Sequence, residues 1–360
     1  MTRILITMLF VMAIFSQGQA QSLVLQGKVV DARSQEPLLF ANIIINDGEK
    51  GTSTDIDGKF FLEVEASRLR KITFSYVGYT SFVYSINTSQ DLNPLRQAIF
   101  IKLEEQASDL EEVLIQAGAN PAHRIIRAAT RNRRRNDPEK IRTFQYKSYN
   151  KFYVDLSGDS ETSPDSVIAQ SVDSNFVKVL GHLENHHFFM SEVVTERKYR
   201  APNYDKEEVL ANRVSGIKDP GFTTLATDFQ PFSFYRDFVE ILRNSYRNPI
   251  SPGSLDKYFF SIEDTTFQDT DTVFIISFQP FPDKNFEALQ GILYINTNGF
   301  AIQNVIASPA DTTGVFNFKI QQKYEFIDRQ RWFPTQLMAD IYFNNFQIGG
   351  KKVTGVNRTY

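Results

Sequence analysis

Four histidines and a few carboxylate clusters are the residues of this chain that could carry bond-making chemistry. His182, His186 and His187 lie close together, and His123 stands apart. Histidines four apart hold zinc when a helix puts them on one face. The FFMSEVV that follows His187 reads as a strand instead. Neither His-Glu-x-x-His nor His-x-x-Glu occurs, so the ligand pattern of a zinc peptidase is missing. Asp264, Asp269 and Asp271 fall in a turn-like stretch and read as solvated carboxylates rather than an acid–base pair. Asp55 and Asp57 are too few for a calcium shell of six to eight oxygens and suit turn chemistry. With no cysteine there is no disulfide, thiolate metal site or cysteine nucleophile. No Gly-x-Ser-x-Gly elbow, phosphate loop or dinucleotide fingerprint appears. The reading is therefore non-catalytic, with no catalytic, cofactor-binding or metal residue assigned. What remains is positive charge: Arg124, Arg127, Arg131, Arg133, Arg134 and Arg135 within twelve residues. Arg124, Arg127, Arg131 and Arg134 form a candidate anion site for phospholipid headgroups, lipopolysaccharide or an acidic partner. Arginines late in a helix also answer its C-terminal dipole, and both accounts stand at this point.

The element that would carry these arginines is a helix opened by Asn120-Pro121, an N-cap followed by proline at the first helical position. Ile125, Ile126 and Ala129 give it an apolar strip. The rest of the chain is written in strand residues: 32 Phe and 15 Tyr against a single Trp, types that favour half-buried pleated surfaces. A formal net charge of −3 argues against nucleic acid or an anionic membrane surface as the main partner. Residues 1–20 read as a signal peptide: Arg3, the apolar run Ile4 to Phe15, then Gly18-Gln19-Ala20 with small residues at the cleavage positions. Export follows, to the periplasmic face of an outer membrane. An N-terminal anchor is the alternative.

Residues 21–104 read as one domain of about seven short strands: Leu23 to Asp31, Leu38 to Asn46, Gly51 to Asp55, Lys59 to Val64, Lys71 to Tyr76, Ser81 to Ile86 and Ala98 to Leu103. Strands this short without a helical period predict a β-sandwich. The string GKVVDARSQEPLLFANIIINDGEKGTSTDIDGKFFLEV, followed by ITFSYVGYTS, resembles the carboxypeptidase-regulatory-like family. That resemblance implies a transthyretin-like sandwich serving structure and recognition, without the peptidase itself. Residues 105–119 then turn acidic and small, as a linker. Within it Leu110, Glu111, Glu112, Val113, Leu114 and Ile115 resemble the TonB-box-like stretch of TonB-dependent receptors, which implies partner binding by strand addition. The alternative is a last strand of the sandwich or a packed linker.

Residues 120–360 read as the Arg-rich helix followed by a larger antiparallel curved sheet, half-barrel-like. Thr143 to Leu156 alternates, and Ser157 to Ser171 reads as a mobile polar loop. His187 to Arg197 and Glu208 to Gly216 are strand candidates. Tyr258 to Glu263 and Val273 to Phe278 flank an Asp-rich turn, Asp264 to Asp271. Gly291 to Asn296 and Phe300 to Ala307 form a hairpin across Asn298-Gly299. Val315 to Phe326, Phe333 to Met338 and Ala339 to Phe346 continue the meander. Asn120-Pro-Ala-His-Arg-Ile-Ile running to Tyr149-Asn150-Lys151, Ser233-Phe-Tyr235 through Asn248-Pro249-Ile250-Ser251-Pro252 and Gly291-Ile-Leu-Tyr-Ile resemble a family of unknown function from Gram-negative outer-membrane proteins. The resemblance implies a following membrane barrel, so the chain is expected to be a front part that ends on a free sheet edge. The hairpin with Gln322-Lys323-Tyr324 and Trp332-Phe333-Pro334 also resembles the half-barrel of periplasmic lipoprotein carriers. Two functions stay open: the periplasmic part of an outer-membrane protein acting in binding, assembly or transport, or a carrier of lipid or another apolar ligand. Envelope proteins or outer-membrane lipid are the expected partners; no cofactor is implied.

Overall fold

A computed structural model describes residues 22–360, apart from 49, 56, 88–91, 107–119, 158–186, 202–203, 217–231, 242–243, 269–270, 283–284, 315 and 349–350. The signal segment, Leu110 to Ile115, His182 and His186 lie outside the described residues. The chain divides into two units, Met1–Gln116 with Thr266–Thr272 and Ala117–Thr265 with Val273–Tyr360.

The first unit holds β1 (Ser22–Asp31), β2 (Asn42–Ile45), β3 (Lys50–Ser53), β4 (Lys59–Glu65), β5 (Lys71–Ser75), β6 (Phe82–Ser85) and β7 (Ile99–Leu103). These are the seven strands expected from the sequence. They form two sheets, ordered β4-β1-β7 and β3-β2-β5-β6, with β1 and β7 parallel. Alternation does the sorting. In β4, Phe60, Leu62 and Val64 are buried while Phe61 and Glu63 face water. Leu25 and Val29 from one sheet and Ile43, Ile72 and Phe74 from the other share one core. The Asp55–Gly58 turn is fixed locally: the Asp55 carboxylate accepts the N–H groups of Asp57 (2.9 Å) and Lys59 (2.8 Å). Gly58 takes a positive φ of 72°, which a residue with a Cβ adopts only under strain. Tyr79, after the Tyr76-Val77-Gly78 turn, donates its hydroxyl to Asp31 at 2.9 Å. The N–H of Ser34 and that hydroxyl hold the Asp31 carboxyl below the usual carboxylate range.

The second unit opens with α1 (Pro121–Asn136). The Asn120 side chain accepts the Ala122 N–H, as the cap reading requires. A 16-residue helix this rich in arginine would be marginal alone. Burial of Ile125, Ile126 and Ala129 holds it, with each isoleucine contributing about 1.5–3 kcal/mol. A single 3-10 turn, Pro138–Lys140, follows. Next come β8 (Thr143–Ser157), β9 (Phe189–Arg200), β10 (Tyr204–Gly216), β11 (Phe238–Ile241), β12 (Asn244–Arg247), β13 (Tyr258–Gln268), β14 (Asp271–Pro280), β15 (Leu289–Asn296), β16 (Ala301–Pro309), β17 (Phe316–Ile327), β18 (Arg331–Ile348) and β19 (Lys351–Thr359). Ten of these make one sheet, ordered β10-β9-β8-β19-β18-β17-β16-β15-β14-β13. Strands β11 and β12 pair as a separate hairpin. Among the described residues the fold is mainly β, with one short α-helix and a large antiparallel sheet.

Three expectations change. Phe333 to Phe346 is one continuous strand, β18, where two were read. The stretch Asp264 to Asp271 is mostly strand, since β13 runs to Gln268 and β14 starts at Asp271. The free edge expected at the last strand is absent: β19 pairs with β18 on one side and β8 on the other. The edges are β10 and β13. One face of the sheet carries Phe152, Phe189, Leu293, Val305, Ile320 and Ile341 into a core shared with α1 and with Phe234, Tyr235, Val239, Tyr246 and Ile250. The helix and the segment around β11 and β12 pack on part of that face.

Candidate functional site

A cavity of about 260 Å³ opens on the covered face of the larger unit. Its walls come from five strands, from the 3-10 turn after α1 and from Phe232-Ser233. Strand β8 supplies Phe144 and Tyr146, which share a face because they are two apart. Strand β18 supplies Phe333. Phe144 and Phe333 meet edge-on at 5.6 Å, Tyr146 and Phe333 meet at the same distance, and Phe144 stacks on Tyr199 at 4.9 Å. Leu337, Pro334 and Phe232 complete an apolar lining.

Two features of the wall are polar. Arg197 on β9 is locked to Asp205 on β10 by paired bonds of 3.0 and 2.8 Å. Its guanidinium lies 5.8 Å from the centre of the Phe144 ring. The bonds to Asp205 raise the Arg197 pKa further against partial burial and lower that of Asp205, so both stay charged. The second feature is on β18. The register with β17 jumps from Lys323↔Gln336 to Tyr324↔Pro334, which makes Thr335 the extra residue of a β-bulge. Bulges re-aim side chains, and here Thr335 and Gln336 both line the cavity. Thr335 Oγ1 and Gln336 Oε1 are buried without a hydrogen-bond partner among the described residues.

The opposite wall is tied down by a polar chain. Ser233 donates to Asp137 at 2.8 Å. Tyr324 accepts the Phe234 N–H at 2.9 Å and donates to Gln322 at 2.9 Å. Gln322 in turn donates to the Phe232 carbonyl at 2.5 Å. Glu139 is held by the Arg236 guanidinium at 3.0 and 2.5 Å.

The residues singled out from sequence lie elsewhere. Arg124, Arg127, Arg131 and Arg134 are exposed on α1. Arg133 turns inward and donates to the Tyr235 carbonyl at 2.7 Å and to Asp237 at 2.7 Å. His187 bonds Asp155 at 2.8 Å beside the Tyr153 ring. Asp264 lies within β13 and Asp271 opens β14. Among the described residues no group of three or more His, Cys, Asp or Glu side chains is placed to hold a metal. Among the same residues no helix is long and apolar enough to cross a membrane, which does not bear on strands. The cavity itself was not anticipated residue by residue; the proline inside a strand, Pro334, was its available signal, since strand prolines sit at edges or bulges.

Residues 125–358 match the family described as "Family of unknown function (DUF5686)". Residues 25–115 match the CarboxypepD_reg-like domain. No curated protein matches. Among solved structures, the chain is similar to a LolA superfamily protein from Nitrosomonas europaea at 12% identity and a TM-score of 0.24. It is likewise similar to a DUF1329 family protein from Desulfovibrio piger at 11% identity and a TM-score of 0.26. Each comparison covers 67% of this chain and 92% of the other.

Proposed function

Since the chain belongs to the DUF5686 family of unknown function and carries a CarboxypepD_reg-like domain in front, we propose from its site that the larger unit is a non-catalytic binding module for an apolar ligand at the cell envelope. The ligand is a lipid chain or a compound of similar character, held by a ten-stranded sheet curved like a half-barrel. The export signal read at residues 1–20 supports a periplasmic place, facing an outer membrane. The observation that carries the reading is the cavity between Phe144, Tyr146, Phe232, Phe333 and Leu337. Ligand pockets are concave and mostly apolar, with a few placed polar groups. Here Arg197 and the two unpartnered oxygens of Thr335 and Gln336 supply them. At about 260 Å³ the space falls just below the ~300–1,000 Å³ of pockets for drug-sized ligands, so it suits one short chain or ring system. The charged groups on the wall favour binding over proton transfer, because Glu139 and Arg197 are each committed to an ion pair.

The test uses the neutral probe N-phenyl-1-naphthylamine. Wild-type protein should bind it saturably, with fluorescence enhancement. Phe333→Glu places a charge among the rings and should abolish that signal while Trp332 fluorescence still reports a folded unit. Equal probe binding by both proteins, or none by wild type, refutes the reading.

A further inference from the structure

The exposed side of α1 concentrates positive charge in a chain that is otherwise nearly balanced. Between Arg124 and Lys147 there are seven arginines and two lysines against only Asp137 and Glu139, while the whole chain carries −3. Spacings of three, four and three residues put Arg124, Arg127, Arg131 and Arg134 on one side of the helix, opposite the buried Ile125, Ile126 and Ala129. The stripe runs for about 15 Å along the axis. None of the four has an ion-pair partner among the described residues, unlike Arg133, which is spent on Asp237. Dipole compensation accounts for basic residues in the last turn. It does not account for Arg124 and Arg127, which stand in the first two turns, where the dipole disfavours a cation. An exposed helical stripe of unpaired guanidinium groups is complementary to a dense array of phosphates.

The position of the stripe adds to its chemistry. Four residues beyond Arg134 the chain reaches Pro138, and Pro138 and Glu139 form part of the cavity wall. Lys147, also positive, lines the same wall. The end of the helix that carries the stripe is therefore joined directly to the cavity wall.

We propose that the arginine face of α1 docks the larger unit onto an anionic phospholipid surface, bringing the cavity against the headgroup layer from which an apolar ligand is taken or to which it is given. The delivery part rests on the apolar-ligand reading above; the docking stands independently of it. Basic residues near an anionic bilayer each contribute additively to attraction, and Debye screening weakens it as salt rises. Loss of each arginine should therefore weaken partition by roughly fivefold.

The test is co-sedimentation of the full chain with vesicles of phosphatidylcholine alone or of phosphatidylcholine mixed with the anionic phosphatidylglycerol. Wild type should bind only the anionic vesicles and release at high salt. The fourfold variant Arg124→Gln, Arg127→Gln, Arg131→Gln, Arg134→Gln should lose this binding, and the corresponding fourfold Arg→Lys variant should keep most of it. The pair Arg127→Gln, Arg131→Gln gives an intermediate loss and serves if the fourfold variant melts early. Probe binding in the cavity should survive in every variant, so a protein that docks but takes no probe fails the cavity reading alone. Binding to neutral vesicles equal to that on anionic ones overturns the docking proposal. So does unchanged binding by the glutamine variants, or retention on a soluble acidic protein with no binding to vesicles.

Discussion

Replacing Tyr324 by Phe isolates the polar tie that fixes one wall of the cavity. The ring is 1% exposed, and its hydroxyl accepts the Phe234 N–H and donates to Gln322 Oε1, both at 2.9 Å. Burial pushes the Tyr324 pKa well above its ordinary value, so the hydroxyl stays protonated and able to donate. Tyr324→Phe removes one oxygen and leaves no space worth a cavity penalty. The cost is that of two buried groups left without partners, about 1–3 kcal/mol each. Gln322 Nε2 keeps its bond to the Phe232 carbonyl, but Oε1 loses its donor, and a total of about 2–6 kcal/mol follows. The single tryptophan, Trp332, lies buried in the same unit, so its fluorescence in urea follows that unit alone. With a slope of roughly 3 kcal/mol/M, the midpoint should fall by about 1–2 M. Tyr204→Phe, at a ring 44% exposed, should stay within about 0.5 kcal/mol. A Tyr324→Phe protein as stable as the Tyr204→Phe control would refute the claim that this hydroxyl pins the 232–235 segment to the sheet.

Two further outcomes follow from local geometry. Gly58→Ala should destabilise the first unit by about 1–3 kcal/mol, because φ is +72° and the added Cβ would stand 2.5 Å from the Val29 carbonyl oxygen; amide dispersion lost from that unit's resonances at a lower temperature than in wild type checks it, and an unchanged melt rejects it. Burial, and then the Arg127 charge, lower the His123 pKa below its ordinary value, so the unfolded chain takes up the proton more readily. Its contribution is in place above about pH 6.5 and is lost as pH falls through that value toward the folded pKa. Arg127→Gln should move the His123 titration, followed by NMR, upward; a downward move would show the sign to be wrong.

The first unit was legible because each of its strands shows a clean period of two and each turn has chemical cause. Phe60, Leu62 and Val64 alternate with outward residues, and Asp55 to Gly58 is an Asx turn closed by a glycine. The Asn298-Gly299 hairpin was equally plain: Gly299 takes φ +74° and Asn296 accepts the Asn298 N–H at 2.7 Å. Strand β18 was split because Leu337, Met338 and Ala339 are all buried. A strand covered on both faces loses its alternation and reads as a continuous apolar run. Strands β11 and β12 escaped because four residues are too few to show a period. The aspartates from 264 to 271 suggested a turn by composition, yet a carboxylate near the end of a strand has the same water available as one in a loop.

The cavity was illegible for a different reason. Its residues are spread from Pro138 to Tyr360, and its aromatics have the spacing of ordinary core residues, so no local pattern separates a ring that packs from a ring that lines a space. The distinction lies in the layer opposite. Ten strands about 4.8 Å apart make a sheet roughly 43 Å wide, whereas a 16-residue helix is about 24 Å long in any orientation. The helix alone therefore cannot span the sheet. The exposure of the strands follows this shortfall: Phe318 and Ile320 of β17 are buried, Phe144 and Tyr146 of β8 are half-buried, and nearly all of β10 is exposed. Among the described residues the cavity falls at that border, where Pro138-Glu139 and Phe232-Ser233 line it and Phe144, Tyr146 and Phe333 are only half-buried. The β18 bulge lies at that border too, leaving two polar atoms unpaired where a filled core would have no room for them. Among the described residues the space thus lies where the buried strands give way to half-buried ones, a border that can be located only once the pairing order is known.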